Sequence, residues 1–498
     1  MTVSVDSFFL RPGATGTLQA QIRQMVAEGI LAGRLRRGER MPSSRKLAAH
    51  LGVSRITVTL AYADLVADDY LSARDRSGFF VSDNAPQPQD FPRGAPEPAG
   101  ASSVDWARAL GLPRGDDTVP GRPDKPRNWR GFRYPFIYGQ ADQALFDHQN
   151  WRGCTLMALG LKDFHAMTDD RFEQDDPGLV EYIARHTLPR RGILARPEEI
   201  LVTLGAQNAL WLAAQLLLNQ RRIAAIEEPG YPGLRGILRQ TRCHLRPVAV
   251  GAAGLDPSQL PAQMDVVFCT PSHHCPTGAT MPMAARQTLL DAAARDNFLI
   301  VEDDYEFEIV HGRAPLPALK SLDTEGRVIH VGSFSKSLFP GLRLGFLVGA
   351  EPFIREARAL RATVLRHPPG LIQRAAAYFL QLGHYDALLR RTARAFHARR
   401  AAMQAAVAEH GLQVAGGADS GGSSLWMRAP DGVDTEALAE VLQADSVLIE
   451  PGRPFFAAPD ASRRYFRIAY SSISEERIGE GIARIATAMK RLGEGRVG

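Results

Sequence analysis

One lysine, Lys336, stands among hydroxyls in Gly332-Ser-Phe-Ser-Lys-Ser-Leu-Phe-Pro-Gly-Leu-Arg-Leu-Gly345, with an arginine seven residues on. An amine forms a Schiff base only when neutral, and burial beside positive charge brings a lysine toward that state. Ser333, Ser335 and Arg343 add hydroxyl donors and a guanidinium suited to a phosphate dianion. Upstream lies Phe298-Leu-Ile-Val-Glu-Asp-Asp-Tyr-Glu306. Its short apolar run, Phe298 to Val301, reads as a buried parallel strand that delivers Asp303 to the carboxyl edge of a sheet, where open α/β sheets bind ligands. A carboxylate there suits a pyridine nitrogen that must stay protonated for its ring to act as an electron sink. Taken alone, the lysine segment reads as surface and the acids as a solvated strand end. Together they point to pyridoxal 5'-phosphate held on Lys336.

Residues from about 130 to 490 resemble a fold-type I, class I aminotransferase domain. The resemblance implies that Lys336 carries the cofactor as an internal aldimine, with Asp303 at the pyridine nitrogen, Tyr305 near O3′, and Ser333, Ser335 and Arg343 on the phosphate. It also implies a phosphate contact at Gly205-Ala206-Gln207, which follows the strand-like Ile200-Leu-Val-Thr-Leu204 and opens the apolar helix Asn208–Leu218. Helix N-termini favour anions, so this assignment has physical support of its own. Tyr231, in Glu228-Pro-Gly-Tyr-Pro232, matches an aromatic near the cofactor ring, and Arg467, in Tyr465-Phe-Arg-Ile-Ala-Tyr470, matches an arginine that clamps a substrate carboxylate. Where the family usually has Asn-Pro-x-Gly, this chain has Cys275-Pro-Thr-Gly278. A cysteine is a poor donor to O3′, which leaves the anchors in place and weighs against efficient turnover.

The elements before this body follow a different pattern. Apolar residues recur at helical spacing from Leu18 through Ile22, Met25 and Val26 to Ile30. Ser43 or Ser44 suits the N-cap of a short helix ending at Gly52, and Ser54 caps another running to about Val66. This is a helix-turn-helix whose second helix begins with Ser54, Arg55 and Thr57, residue types expected on a major-groove face. Arg34 to Arg55 holds seven Lys or Arg against one acid, Glu39, which favours salt-dependent phosphate contacts. Tyr70 to Ser82 reads as two short strands around a polar turn with Gly78, a wing able to reach the minor groove. The candidate DNA-contacting residues are Ser43, Ser44, Arg45, Ser54, Arg55, Thr57 and Gly78.

Residues 15–82 resemble the winged helix-turn-helix of GntR-type bacterial regulators, through Gly-x-x-Met-Pro-Ser-Ser-Arg at 38–45, Leu-Gly-Val-Ser-Arg at 51–55 and Ser-Gly-Phe-Phe-Val in the wing. Asp68-Asp69-Tyr70 stands where Glu-Gly-Tyr is common. The order of modules resembles the MocR subfamily. The expected fold is therefore multidomain: a winged helix-turn-helix over 15–83, a Pro-rich linker over 84–126 with a short helix at Trp106–Leu112, and an α/β fold-type I aminotransferase-like body over 127–494.

A chain of 498 residues accommodates such a division, and a net charge of +5 is modest, so charge informs only where it clusters. Cys154, Cys243, Cys269 and Cys275 include no Cys-x-x-Cys pair, and no signal peptide or long apolar span is evident, which fits a reduced cytoplasm. His273 and His274 read as loop donors rather than metal ligands, and Arg390, Arg391, Arg394, Arg399 and Arg400 as a solvated helix face.

The resemblance implies a regulator that binds double-stranded DNA at repeated half-sites as a head-to-tail, domain-swapped homodimer. It would sense an amine or amino-acid-like effector through an external aldimine, the acidic group held by Arg467. The alternatives are a working aminotransferase with an accessory reader and a regulator whose cofactor pocket is structural. The effector stays open among γ-aminobutyrate, taurine, an ectoine derivative and the cofactor itself.

Overall fold

The computed structural model describes residues 2–10, 16–75, 77–86, 104–109, 125–140, 142–309, 316–417, 422–458 and 462–494. The chain divides into two compact units, Met1–Gly115 and Asp116–Gly498. Of the expected linker, only 84–86, 104–109 and 125–126 are described. Its helix covers Trp106–Ala109, and 110–112 lie outside the described residues.

In the first unit, α1 (Leu18–Leu31) starts at Thr17, whose side chain accepts the Ala20 N–H. Helices α2 (Ser44–Leu51) and α3 (Arg55–Ala67) start at Ser43 and Ser54, whose hydroxyls accept the N–H groups of Lys46 and Thr57. Gly52 ends α2 at φ 66, a left-handed conformation that a side chain disfavours, and so turns the chain tightly into α3. Ile22, Val26, Ile30, Leu47, Val58, Tyr62 and Leu65 form the shared core. Strands β1 (Leu71–Arg74) and β2 (Gly78–Val81) pair antiparallel as the wing and add Leu71 and Val81 to that core.

The second unit carries a short parallel pair, β3 (Tyr134–Pro135) with β14 (Val447–Leu448), and two larger sheets. The main sheet comprises β4 (Ile200–Thr203), β5 (Ile223–Glu228), β6 (His244–Gly251), β7 (Gly254–Leu255), β8 (Val266–Cys269), β9 (Leu299–Asp304), β10 (Val328–Ser333) and β11 (Gly345–Val348). Its order is β4-β11-β10-β9-β8-β5-β6-β7. Strands β10, β9, β8, β5 and β6 run parallel, and β11 lies antiparallel between β10 and β4. The central strands β8, β9 and β10 are buried along almost their whole length, as in a sheet with both faces covered. The smaller sheet, β12 (Gln413–Val414), β13 (Ser424–Arg428), β16 (Tyr465–Ala469) and β15 (Glu450–Pro451), is antiparallel. It shares a core of Leu425, Met427, Phe466 and Ile468 with Phe396, Met403, Leu438, Ile478 and Ile482 from its helices.

Two expectations are corrected. The acids Glu302 to Asp304, which taken alone read as a solvated strand end, are buried at the carboxyl end of β9 (Leu299–Asp304). Of the arginines read as a solvated face, Arg399 and Arg400 are buried on helix His384–Glu409. Arg399 pairs with Asp142 and donates to the carbonyls of Tyr470 and Ser471, partners that approach from distant sequence. Among the described residues, no helix is long and apolar enough to cross a membrane.

Candidate functional site

The carboxyl ends of β4, β9 and β10 lie on one edge of the main sheet and bring their following loops together there. Lys336 follows β10. Its Nζ lies 4.3 Å from the centroid of the Tyr138 ring. Gly139, at φ 70, leaves no room for a Cβ beside the ammonium. Burial lowers the Lys336 pKa, Arg467 lowers it further, and Glu306 opposes the shift.

Gly205 opens the helix Ala206–Leu217 after β4, at φ 79. A Cβ on it would stand 3.5 Å from both the Arg343 guanidinium carbon and Ser335 Oγ, so the three residues enclose one small space. Ala206 and Gln207 begin that helix, where backbone N–H groups have no intrahelical acceptor. Ser335 donates its N–H to Ser333 Oγ at 3.1 Å, while Ser335 Oγ is buried without a partner. Arg343 donates to the Leu204 carbonyl at 3.2 Å.

Asp303 lies on β9 and is 8% exposed. Burial, reinforced by Asp304 and Glu227, pushes its carboxyl up to about 8, and Oδ1 has no hydrogen-bond partner. Tyr231, its phenol pushed up to about 12 by burial, lines a cavity with Asp303 and Gly230. Tyr305 packs with Tyr231 against Cys275, Trp426 and Phe455. A carboxyl lacking a cation, a buried hydroxyl lacking a partner in a glycine-made cradle, and a lysine shifted toward neutrality suit the ring nitrogen, the phosphate and the aldehyde of pyridoxal phosphate, and the residues fit that group.

Arg467 reaches the same place from β16. It pairs in register with Glu450 on β15, and its Nε donates to Glu450 Oε2 at 2.8 Å. Its guanidinium carbon lies 4.1 Å from the Tyr138 ring centroid, and NH1 stands 3.7 Å from Cys275 Sγ. Burial raises the Cys275 thiol to about 11, so it enters the site as a neutral group.

Tyr138, Glu306 and Glu450 are site residues that sequence reasoning missed. Tyr138 donates its hydroxyl to Glu306 Oε2 at 2.8 Å, and Ser423 donates to Glu306 Oε1 at 2.7 Å. The sequence signals were slight: an aromatic before Gly139, and a lone acid in Ile449-Glu-Pro-Gly452. His273 and His274 are buried in the Cys275 loop. Nδ1 of His274 lies 2.7 Å from Thr277 Oγ1, and burial drives the ring down to about 3, so it is neutral. Among the described residues, no cluster of His, Cys, Asp or Glu could hold a metal.

In the first unit, the hydroxyls of Ser43 and Ser54 act as helix caps. Ser44 Oγ accepts from Arg55 Nε at 3.4 Å, and Ser54 and Thr57 hydroxyls lie 2.8 Å apart. Arg45, Lys46 and Arg55 are exposed, as are Arg34, Arg36 and Arg40. Gly78 opens β2 at φ 98, with the Arg40 guanidinium 3.8 Å from where a Cβ would stand.

Residues 174–485 match the family "Aminotransferase class I and II", and residues 18–81 match "Bacterial regulatory proteins, gntR family". The chain is 58% identical over 490 residues to the HTH-type transcriptional regulator TauR of Rhodobacter capsulatus, covering 98% of this chain and all of that one (100%). It is 30% identical over 486 residues to the probable rhizopine catabolism regulatory protein MocR of Rhizobium meliloti, covering 95% and 94%. Among solved structures, LysN, the alpha-aminoadipate aminotransferase of Thermus thermophilus, complexed with N-(5'-phosphopyridoxyl)-L-leucine, superposes at a TM-score of 0.68. It shares 26% identity, with 78% of this chain and 100% of that one covered.

Proposed function

The chain belongs to the GntR-type transcriptional regulators that carry an aminotransferase class I and II domain, and from that premise we propose that it is a pyridoxal-phosphate-dependent regulator switched by a short amino-acid-like effector. One observation carries this reading. Lys336 Nζ and the Arg467 guanidinium both lie against the ring of Tyr138, at 4.3 and 4.1 Å from its centroid, so their separation cannot exceed the two distances combined. A molecule that presents an amine at one and an acid at the other is therefore short.

Lys336 would hold the cofactor, with its phosphate against Gly205, Ala206, Gln207, Ser333, Ser335 and Arg343, its ring nitrogen at Asp303, and its ring beside Tyr231 and Tyr305. The bound cofactor supplies an aldehyde that condenses reversibly with primary amines. Arg467 orients the effector: Glu450 fixes its Nε edge and leaves the terminal nitrogens to clamp an acidic group. Glu306 holds Tyr138, whose ring Lys336 and Arg467 both approach. Only an effector with different affinity for two conformations can change DNA binding. The reader contributes Ser43, Ser44, Arg45, Ser54, Arg55 and Thr57 at the major groove and Gly78 at the wing.

A head-to-tail homodimer is part of this proposal. An open apolar groove lined by Trp211, Ile237, Leu342, Pro369 and Ile372 runs beside Gln207 and Arg343, a surface of the kind a second subunit covers. Two readers would suit repeated half-sites.

The test is an absorbance titration of the cofactor-loaded protein with a panel of amines and amino acids, paired with DNA-binding measurements. A compound that shifts the cofactor absorbance, is not consumed and changes operator affinity supports the regulator. Steady conversion of an amino donor and a keto acid would show an enzyme instead, and an unaltered DNA response in Lys336→Ala would show a structural pocket.

A further inference from the structure

Helix α3 turns Val58, Ala61, Tyr62 and Leu65 into the core and leaves Arg55, Ile56, Thr59, Leu60 and Ala63 exposed. Two of these are large and apolar: Ile56 is 71% exposed and Leu60 48%. At four residues apart they are neighbours on one helix face. What sets this pair apart is its place, on the helix that a helix-turn-helix presents to the major groove.

The polar groups around them are largely engaged locally. Thr59 donates its hydroxyl to the Arg55 carbonyl at 2.9 Å, Thr57 is bonded to the Ser54 cap, and Arg55 reaches toward Ser44. What the first two turns of α3 offer outward is one guanidinium and a row of methyl groups. The Arg55–Ser44 contact sets the start of α2, with exposed Arg45 and Lys46, beside the start of this face, and this positive charge favours a polyanion over a protein or lipid as the occupant. Within the major groove, thymine alone among the bases displays a methyl group.

We infer that α3 reads its half-site chiefly through thymine C5-methyl groups, with Ile56 and Leu60 as the specificity-determining side chains. This rests on the DNA-reading function proposed above and goes beyond it by naming what is read. Arg55 supplies the one long donor at the helix start, where base edges are contacted.

The probe is the duplex that the full-length, cofactor-loaded protein selects from a random-sequence pool. Each thymine is replaced in turn by deoxyuridine, which keeps the base pair and removes only the methyl. The expected result is a loss of about fourfold in affinity for each contacted methyl, the scale of one buried CH₂. Ile56→Ala or Leu60→Ala should show that loss on the thymine duplex and no further loss on the matching uracil duplex. Both side chains are exposed, so these variants fold. Sequence-selective binding indifferent to uracil at every position overturns the inference alone, as does an equal uracil penalty in the wild type and both variants. Absence of any sequence selection, or of DNA binding, overturns the DNA-reading function with it.

Discussion

Glu302, Asp303 and Asp304 are chemically near-identical neighbours on β9, and what faces each of them differs. Glu302 accepts the N–H groups of Leu319 and Lys320 and pairs with His330. Asp304 binds Arg191 Nε at 2.7 Å, and Arg191 also donates to Ser272 Oγ. Asp303 forms no ion pair among the described residues, and burial raises its carboxyl to about 8 from an ordinary value of 3.8, against the pull of Lys336. In cofactor-free protein this raised pKa favours the protonated carboxyl. Its contribution is therefore full below about pH 4 and is lost as pH rises through about 8. Thermal midpoints of cofactor-free wild type should fall relative to Asp303→Asn across that window, and added cofactor should reverse the trend. A difference that stays flat with pH would refute the assignment. Arg191→Met, by contrast, leaves Asp304 an uncompensated buried charge. It should cost about 3–5 kcal/mol, read as a lowered denaturant midpoint.

At the scale of elements, the first unit was legible because its signals are local. Ser43 and Ser54 cap the helices where capping residues were expected, and Gly52 makes the turn that only a glycine makes cheaply. That the acids after Val301 are buried was not legible, because a run of carboxylates taken alone reads as a solvated strand end. Burial of Glu302 and Asp304 becomes tolerable only once Arg191, His330 and the 319–320 backbone arrive from elsewhere. Gly205 joins a strand to a helix at φ 79, ψ 174, a backbone region that glycine almost alone occupies. Gly205→Ala should therefore carry a strain of about 1–3 kcal/mol and crowd the space between Ser335 and Arg343. Cofactor titration should show weaker binding, and a normal affinity would show that the phosphate sits elsewhere.

At the scale of the whole molecule, the basic segment separates into residues that meet solvent and residues that hold the fold. Lys46 is exposed, whereas Arg37 donates two bonds to the Ala85 carbonyl. Lys46→Ala should weaken DNA binding evenly across sequences and flatten the log-affinity against log-salt slope by about 0.9, the value for one lost phosphate contact. Binding isotherms at several salt concentrations would measure both effects, and an unchanged slope would remove Lys46 from the interface. The sequence by itself determined the two modules, their order, and the Lys336 and Asp303 segments, because caps, periodicity and short motifs act over a few residues. Only the tertiary structure decided that Tyr138 meets Glu306, 168 residues away, that Glu450 holds Arg467 across two strands, that Arg399 is buried, and that Ile56 is not. Pairings across such separations depend on which strands and helices come to lie side by side, and no local pattern records that.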